Sequence, residues 1–334
     1  LFRSMSQSRA IAHSEARIAR FNYLAESIPH SLYRNGNVSL TRRPDGTDAG
    51  MEGYIEDARQ MTVLDARSEA AGSRGLHVNG FELLQQPLQH KDIDFLSHED
   101  VVTRNYPECT EILKSITGAR YAFAFDHNIR WAEAEEKKQQ TGKGQQVQRP
   151  IRLVHGDYTL TSAPQRLRDL AAPPRINDTM RPFLAEGESV IPPELVEEAL
   201  SETGRFAIIN LWRNIHKESP VLRDPVGYCD AQTILTEDLV VFELHYTDRI
   251  GENYFAHGAE RHQWYFFPEM TFDEVVLIKQ WDSAGAFASS KGAERDSGSD
   301  KPCSLNFHSA FEDPFSAANA PHRRSIEVRC IAIY

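Results

Sequence analysis

From Phe206 onward the chain is a succession of short runs rich in Val, Ile and aromatic residues, at 206–211, 239–245, 262–267, 275–280, 305–308 and 325–334, most of them bounded by Pro, Gly, Asp or Asn. Runs of this length and composition, stopped by turn residues, form strands. In series they predict two packed sheets of the double-stranded β-helix kind, the cupin-type jelly roll. Helical spacing at 163–170 and 193–200 interrupts the series, so the fold class expected is α+β, a jelly-roll core with flanking helices.

Residues 1–130 read as mixed α/β structure packing on that core. Ile11 to Ala25 has helical spacing, Phe81–Leu84 follows Asn79-Gly80 as a strand follows a turn, Glu99 to Thr117 is a helix ending at Gly118, and Ala119 to Phe125 alternates as a strand. Apolar periodicity disappears over 131–150, as in Glu135-Glu136-Lys137-Lys138-Gln139-Gln140, and a second polar stretch covers 284–302. Such segments bury little and read as solvated loops. They are either lids over a site or insertions without a catalytic role. The organisation expected is a single domain over 1–334, with its core at 151–334, because all-β folds of this length are often one unit.

The net charge of −11 and the pI near 5.7 argue against a nucleic-acid surface, which needs clustered Lys and Arg. No stretch approaches the roughly 20 apolar residues of a membrane span. The first residues hold no apolar segment of signal-peptide kind. Cys109, Cys229, Cys303 and Cys330 form no C-x-x-C pair, which disfavours zinc and a disulfide framework and makes a reducing, cytoplasmic setting the expectation. Oligomeric state leaves no trace in the sequence.

Five tripeptides fit H-x-D/E, beginning at His13, His90, His98, His155 and His216, so spacing alone selects none of them. Context selects His155-Gly156-Asp157, which follows the strand-like Ile151–Val154. Residues two apart in an extended segment face the same side, so His155 and Asp157 converge on one point. Gly156 between them leaves room for backbone or a cosubstrate to come close. A third ligand is best supplied by His308 in Leu305-Asn306-Phe307-His308, with His262 the runner-up. Two imidazoles and one carboxylate make the facial triad of non-haem Fe(II) oxygenases. The competing reading is a core histidine hydrogen-bonded to Asp157, with no metal.

Arg323 and Ser325 open the last strand on one face. A guanidinium fork with a hydroxyl beside it suits the distal carboxylate of an oxoacid such as 2-oxoglutarate. Arg329 shares that face and is a second candidate, whereas Arg324 points away. The alternative is an edge-strand charge pairing with Glu327 or Asp313. Asn210, Trp212 and Arg213 end another strand, with Asn210 and Trp212 on one side and Arg213 on the other, and are candidates for substrate contact.

A longer series of fragments resembles one family. Phe21-Asn22-Tyr23-Leu24, Tyr106-Pro107-Glu108, Phe125–Arg130, Val154–Thr159, Asn210–Arg213, Tyr265–Met270, Trp281-Asp282-Ser283, Phe307–Phe311 and Ala320–Arg329 are similar, in order, to the fungal and bacterial oxygenases named after a gibberellin desaturase and a cephamycin methoxylation protein. The resemblance implies iron ligands at His155, Asp157 and His308 and a cosubstrate anchor at Arg323. It also implies Fe(II), 2-oxoglutarate and O2 as the chemical partners, with a small organic substrate of natural-product metabolism that is hydroxylated, desaturated or cyclised. The chain departs from the family at Phe307, where a proline is expected, and at Arg324, where an acidic or small residue is. Because the family name derives partly from a protein that assists another, the alternative is a metal-binding jelly-roll accessory protein without turnover.

Overall fold

The structure is a computed structural model that describes residues 16–43, 48–68, 75–132, 140–141, 145–176 and 178–334. Its strands in chain order are β1 (Arg17–Leu24), β2 (Ser39–Arg42), β3 (Asp48–Glu52), β4 (Glu56–Asp65), β5 (Phe81–Gln85), β6 (Tyr121–Trp131), β7 (Gln140–Thr141), β8 (Gln145–Gln146) and β9 (His155–Gly156). They continue with β10 (Phe206–Asn214), β11 (Val226–Cys229), β12 (Leu239–His245), β13 (Ile250–Ala256), β14 (Trp264–Phe266), β15 (Glu274–Asp282), β16 (His308–Ala310) and β17 (Arg324–Ile333). The longer helices are α1 (Tyr106–Thr117), α2 (Ser162–Asp169) and α3 (Pro193–Ala199).

Two sheets carry the fold. One has ten strands in the order β1-β4-β14-β11-β16-β9-β13-β12-β2-β3, the other five in the order β5-β15-β10-β17-β6. The core lies between them, since Phe21, Tyr254 and Trp264 of the first meet Ile208, Ile331 and Ile333 of the second in one apolar cluster. The back of the five-stranded sheet is also covered. There Ala207, Ile209 and Leu211 of β10 and Ile326, Val328 and Cys330 of β17 pack against Tyr106, Cys109, Ile112 and Leu113 of α1. Burial on both faces explains why β10 and β15 read as nearly continuous apolar runs rather than alternating ones.

Helix α1 forms where its pattern says it should. Its buried residues recur at helical spacing, Pro107 sits in its first turn, and Gly118 ends it at φ 70°, its N–H donating to Lys114 O. A short α-helical turn, His98–Asp100, and a π-helical turn, Val101–Asn105, precede it, so the predicted helix from Glu99 is realised in three pieces.

The helix expected at 11–25 is overturned over its described part. Residues 17–24 form β1, antiparallel to β4, with Ala19, Phe21 and Tyr23 buried and Ile18 and Arg20 exposed. The same apolar residues satisfy a period of two, and an edge position on a ten-stranded sheet decides between the periods. Residues 11–15 lie outside the described residues.

The two polar stretches diverge. Of 131–150, part lies outside the described residues, but Val147 is buried and Gln148 bridges to Arg130. The stretch 284–302 is pinned by Asp296, which accepts from Phe287 N and from the backbone and hydroxyl of Ser304. No helix among the described residues is long and apolar enough to cross a membrane. The four cysteines are buried and free.

Candidate metal centre

Strand β9 is only two residues long, but it lies between β16 and β13. Its His155 pairs in register with His308 on one side and Phe255 on the other. The fragments that sequence reasoning set side by side are therefore neighbouring strands. Gly156 permits the approach: a Cβ there would meet Asn306 O at 3.2 Å, in the segment that carries His308. The two imidazole centroids are 4.5 Å apart, and His155 Nε2 is 3.7 Å from Asp157 Oδ1. Ligand atoms of His155, Asp157 and His308 all lie within 4.8 Å of one another.

The surroundings fix which atoms face the centre. His155 Nδ1 donates to Leu153 O at 2.7 Å, which leaves Nε2 with its lone pair. Asp157 Oδ2 accepts from Asn210 Nδ2 at 2.9 Å and lies 3.5 Å from Arg329 Nε, so Oδ1 is left for the centre. Asp157 N donates to Gln280 Oε1 at 3.0 Å. His308 Nδ1 is buried with no hydrogen-bond partner among the described residues, so no bond within the protein commits its tautomer, and either ring nitrogen can present a lone pair.

Charges agree with that geometry. Burial, with His155 alongside, pushes the His308 imidazole down to about 3, and burial lowers that of His155 as well. Burial alone would raise the Asp157 carboxyl, but Arg329, the two imidazoles and Asn210 hold it well below the usual range. The set is thus two neutral imidazoles and one carboxylate, the donor set that suits a divalent iron with open positions. His262, the runner-up, is elsewhere: its ring is bonded to Tyr23 OH and Asp238.

Of the remaining expected residues, most share the inner face of the five-stranded sheet. On β17 the odd-numbered residues Ser325, Glu327 and Arg329 point between the sheets, while Arg324 lies over the Trp131 ring on the other side. Arg329 is not free to bind an oxoacid alone, because it is paired with Asp126 at 3.0 Å as well as with Asp157 and Glu327. Arg323 is buried, 5.5 Å above the Trp212 ring, and donates to the carbonyl of Asp224. No carboxylate lies within 4 Å of it among the described residues, and the Ser325 hydroxyl is buried without a partner. Burial pushes the Arg323 guanidinium down to about 10.

Arg213 is a correction. Strand alternation turns it to the back of the sheet, where it donates to Gln86 O and Phe272 O and faces Glu108. Asn210 holds Asp157 and does not line the open space. That space is a cavity of ≈ 2280 Å³ whose walls include the three proposed ligands, Trp212, Arg323 and Arg329. The stretch 284–302 contributes nothing to its lining, so of its two readings the insertion without a catalytic role fits. Sequence reasoning passed over Asp126, Asn128 and Arg130 of β6. Their signal was present in part, since polar 126, 128 and 130 alternate with buried His127 and Ile129, and Ile129 packs on the face that α1 covers.

A protein-family profile described as oxidoreductase/YMDC permease-like domain matches residues 21–333. The chain belongs to that family. Within reach of it, an uncharacterised protein in the dcmA 3′ region of Methylophilus leisingeri is 43% identical over 194 residues, covering 58% of this chain and 88% of that protein. The alpha-ketoglutarate-dependent dioxygenase phiK of a fungal species is 28% identical over 298 residues, covering 85% of this chain and 92% of its own. Among solved structures, a variant of the iron and alpha-ketoglutarate-dependent endoperoxidase NvfI superposes with a TM-score of 0.67 at 21% identity, over 95% of this chain and 98% of that one, which establishes a shared fold.

Proposed function

We propose that the chain is a non-haem Fe(II)- and 2-oxoglutarate-dependent dioxygenase that hydroxylates, desaturates or oxidatively cyclises a small organic molecule of secondary metabolism. The observation that carries this is the buried His155, Asp157, His308 set with its atoms already oriented. The names borne by its relatives and by its structural neighbour support the same reading. Within it, the sheets form a jelly-roll core, 1–334 is a single catalytic domain, and the narrower kinship is to the gibberellin-desaturase and cephamycin-methoxylation group. The four buried thiols favour a reducing, cytoplasmic setting.

When bound, Fe(II) with 2-oxoglutarate and O2 supplies oxidative decarboxylation to succinate coupled to attack on an aliphatic C–H bond. The chain's own residues prepare that chemistry. His155, Asp157 and His308 hold the metal by one face. Asn210 and Arg329 clamp Asp157 Oδ2 so that the carboxylate cannot swing, as partners of ligating carboxylates do. Arg323 and Ser325 grip the distal carboxylate of the cosubstrate, which satisfies a buried guanidinium and a buried hydroxyl at once. Trp212 closes over that guanidinium. Phe255, edge-on to His155 with centroids 6.4 Å apart, keeps water from that side of the ligand set.

The test is anaerobic titration of the protein with Fe(II) and 2-oxoglutarate. A visible charge-transfer band is expected in wild type and is lost in His155→Ala. A folded wild-type protein that gives no band overturns the proposal. Succinate release with candidate substrates then separates turnover from binding.

A further inference from the structure

The walls of the cavity differ in chemistry. One side is hydrocarbon: Leu40, Leu153, Phe242, Leu244 and Phe255 line it, with the two phenyl rings stacked at 4.2 Å and 6°. This wall begins at the metal centre, because Phe255 is in register with His155. Elsewhere guanidinium groups line it beside carboxylates, and those guanidinium groups are not equivalent. Arg329 is neutralised by Asp126, Asp157 and Glu327. Arg323 is taken by the cosubstrate in the reading above.

Arg130 remains. It stands on β6 opposite Ser325 of β17 and lines the cavity. Its Nη1 donates to Gln148 Oε1 and, at 3.3 Å, to Arg149 O, which are both uncharged acceptors. No carboxylate lies within 4 Å of it among the described residues. Glu327, whose charge acts on Arg130, is already bound to Arg329. Burial pushes Arg130 itself down to about 10. A partly desolvated guanidinium with unused donors facing a cavity is well placed to take an anion.

We propose that Arg130 binds a carboxylate of the primary substrate, whose hydrocarbon or aromatic body lies along Phe242, Phe255, Leu153 and Leu40. The substrate class is therefore an amphiphilic organic acid, with its apolar part delivered to the metal side of the cavity. This rests on the Fe(II)/2-oxoglutarate reading and adds to it the identity of the second ligand. The cosubstrate does not need Arg130, because one guanidinium fork and one hydroxyl already satisfy a single carboxylate.

The experiment is anaerobic calorimetry on the full chain with Fe(II) and 2-oxoglutarate present, titrating 3-phenylpropanoate and, separately, 3-phenylpropanamide. The acid is expected to bind about ten-fold tighter than the amide, as charge-assisted bonding to a half-buried cation implies. Arg130→Met removes that preference, Arg130→Lys keeps most of it, and neither changes the affinity for 2-oxoglutarate, which Arg323→Met weakens. The subsite is overturned if acid and amide bind alike or neither binds while 2-oxoglutarate affinity is intact. It is overturned equally if Arg130→Met weakens 2-oxoglutarate as much as Arg323→Met does, since Arg130 then belongs to the cosubstrate. A wild-type protein that binds no 2-oxoglutarate overturns the proposed function itself.

Discussion

The inner face of β17 changes character along its length. Its first half presents Ser325, Glu327 and Arg329 and its second half presents Ile331 and Ile333, all on the same side of one strand and all buried or nearly so. Its neighbours follow suit. Asn210 on β10 and Asn128 on β6 lie at the polar end, while Ile208 and Phe123 lie at the apolar end. The apolar end is sealed by packing alone. The polar end is held together by mutual bonds and leaves some atoms unmet, among them the Ser325 hydroxyl, Asn210 Oδ1 and His308 Nδ1. Burying polar groups without partners is unfavourable unless something else supplies them. Under the proposed function, one end of the sandwich is finished by the chain and the other by its ligands.

The strongest way to break that contrast is at the metal. Asp157→Ala is expected to abolish iron binding and turnover while leaving the fold intact, measured by metal content and succinate release; retained activity would show that the polar end does not serve iron. Next in size is Arg323→Met, expected to raise the KM for 2-oxoglutarate about thirty-fold, the effect of roughly 2 kcal/mol lost with a buried charge pair. An unchanged KM would move the anchor elsewhere. Asn210→Ala should follow, weakening iron affinity about 10- to 100-fold through loss of its grip on Asp157, with Asn210→Asp not restoring it. Smallest is Ile331→Val at the apolar end, with a stability cost of about 1 kcal/mol in denaturant titration and no change in iron or 2-oxoglutarate affinity. A change in either affinity would mean that the two ends are coupled.

Much of this was legible before any coordinates. The strands at 206–211, 239–245, 275–280 and 325–334 and helix α1 follow from period and turn residues, whereas the run 305–308 is strand only at His308, 151–154 is not strand, and β11 and β13 fall outside the expected runs. What the sequence hid was chiefly non-local. The pairing of β9 with β16 rests on a single register contact, and nothing near Asp157 in sequence announces Asn210, Gln280 or Arg329 as its partners. Arg213 looked as suitable as Trp212 until the covered back of the sheet was known. The segment at 17–24 was misread because Ala19, Phe21 and Tyr23 fit two periods, and only the neighbouring β4 chooses.

The pairing of His155 with His308 has a consequence for the unfolded chain. A metal held by both joins positions about 150 residues apart, so it closes a loop larger than most disulfides do and limits how far the chain can expand before the ion is released. Iron held in this way would also be a reversible clasp. Loaded and metal-free forms should part company first in how easily they open, with the loaded form unfolding at a temperature that depends on the concentration of free iron.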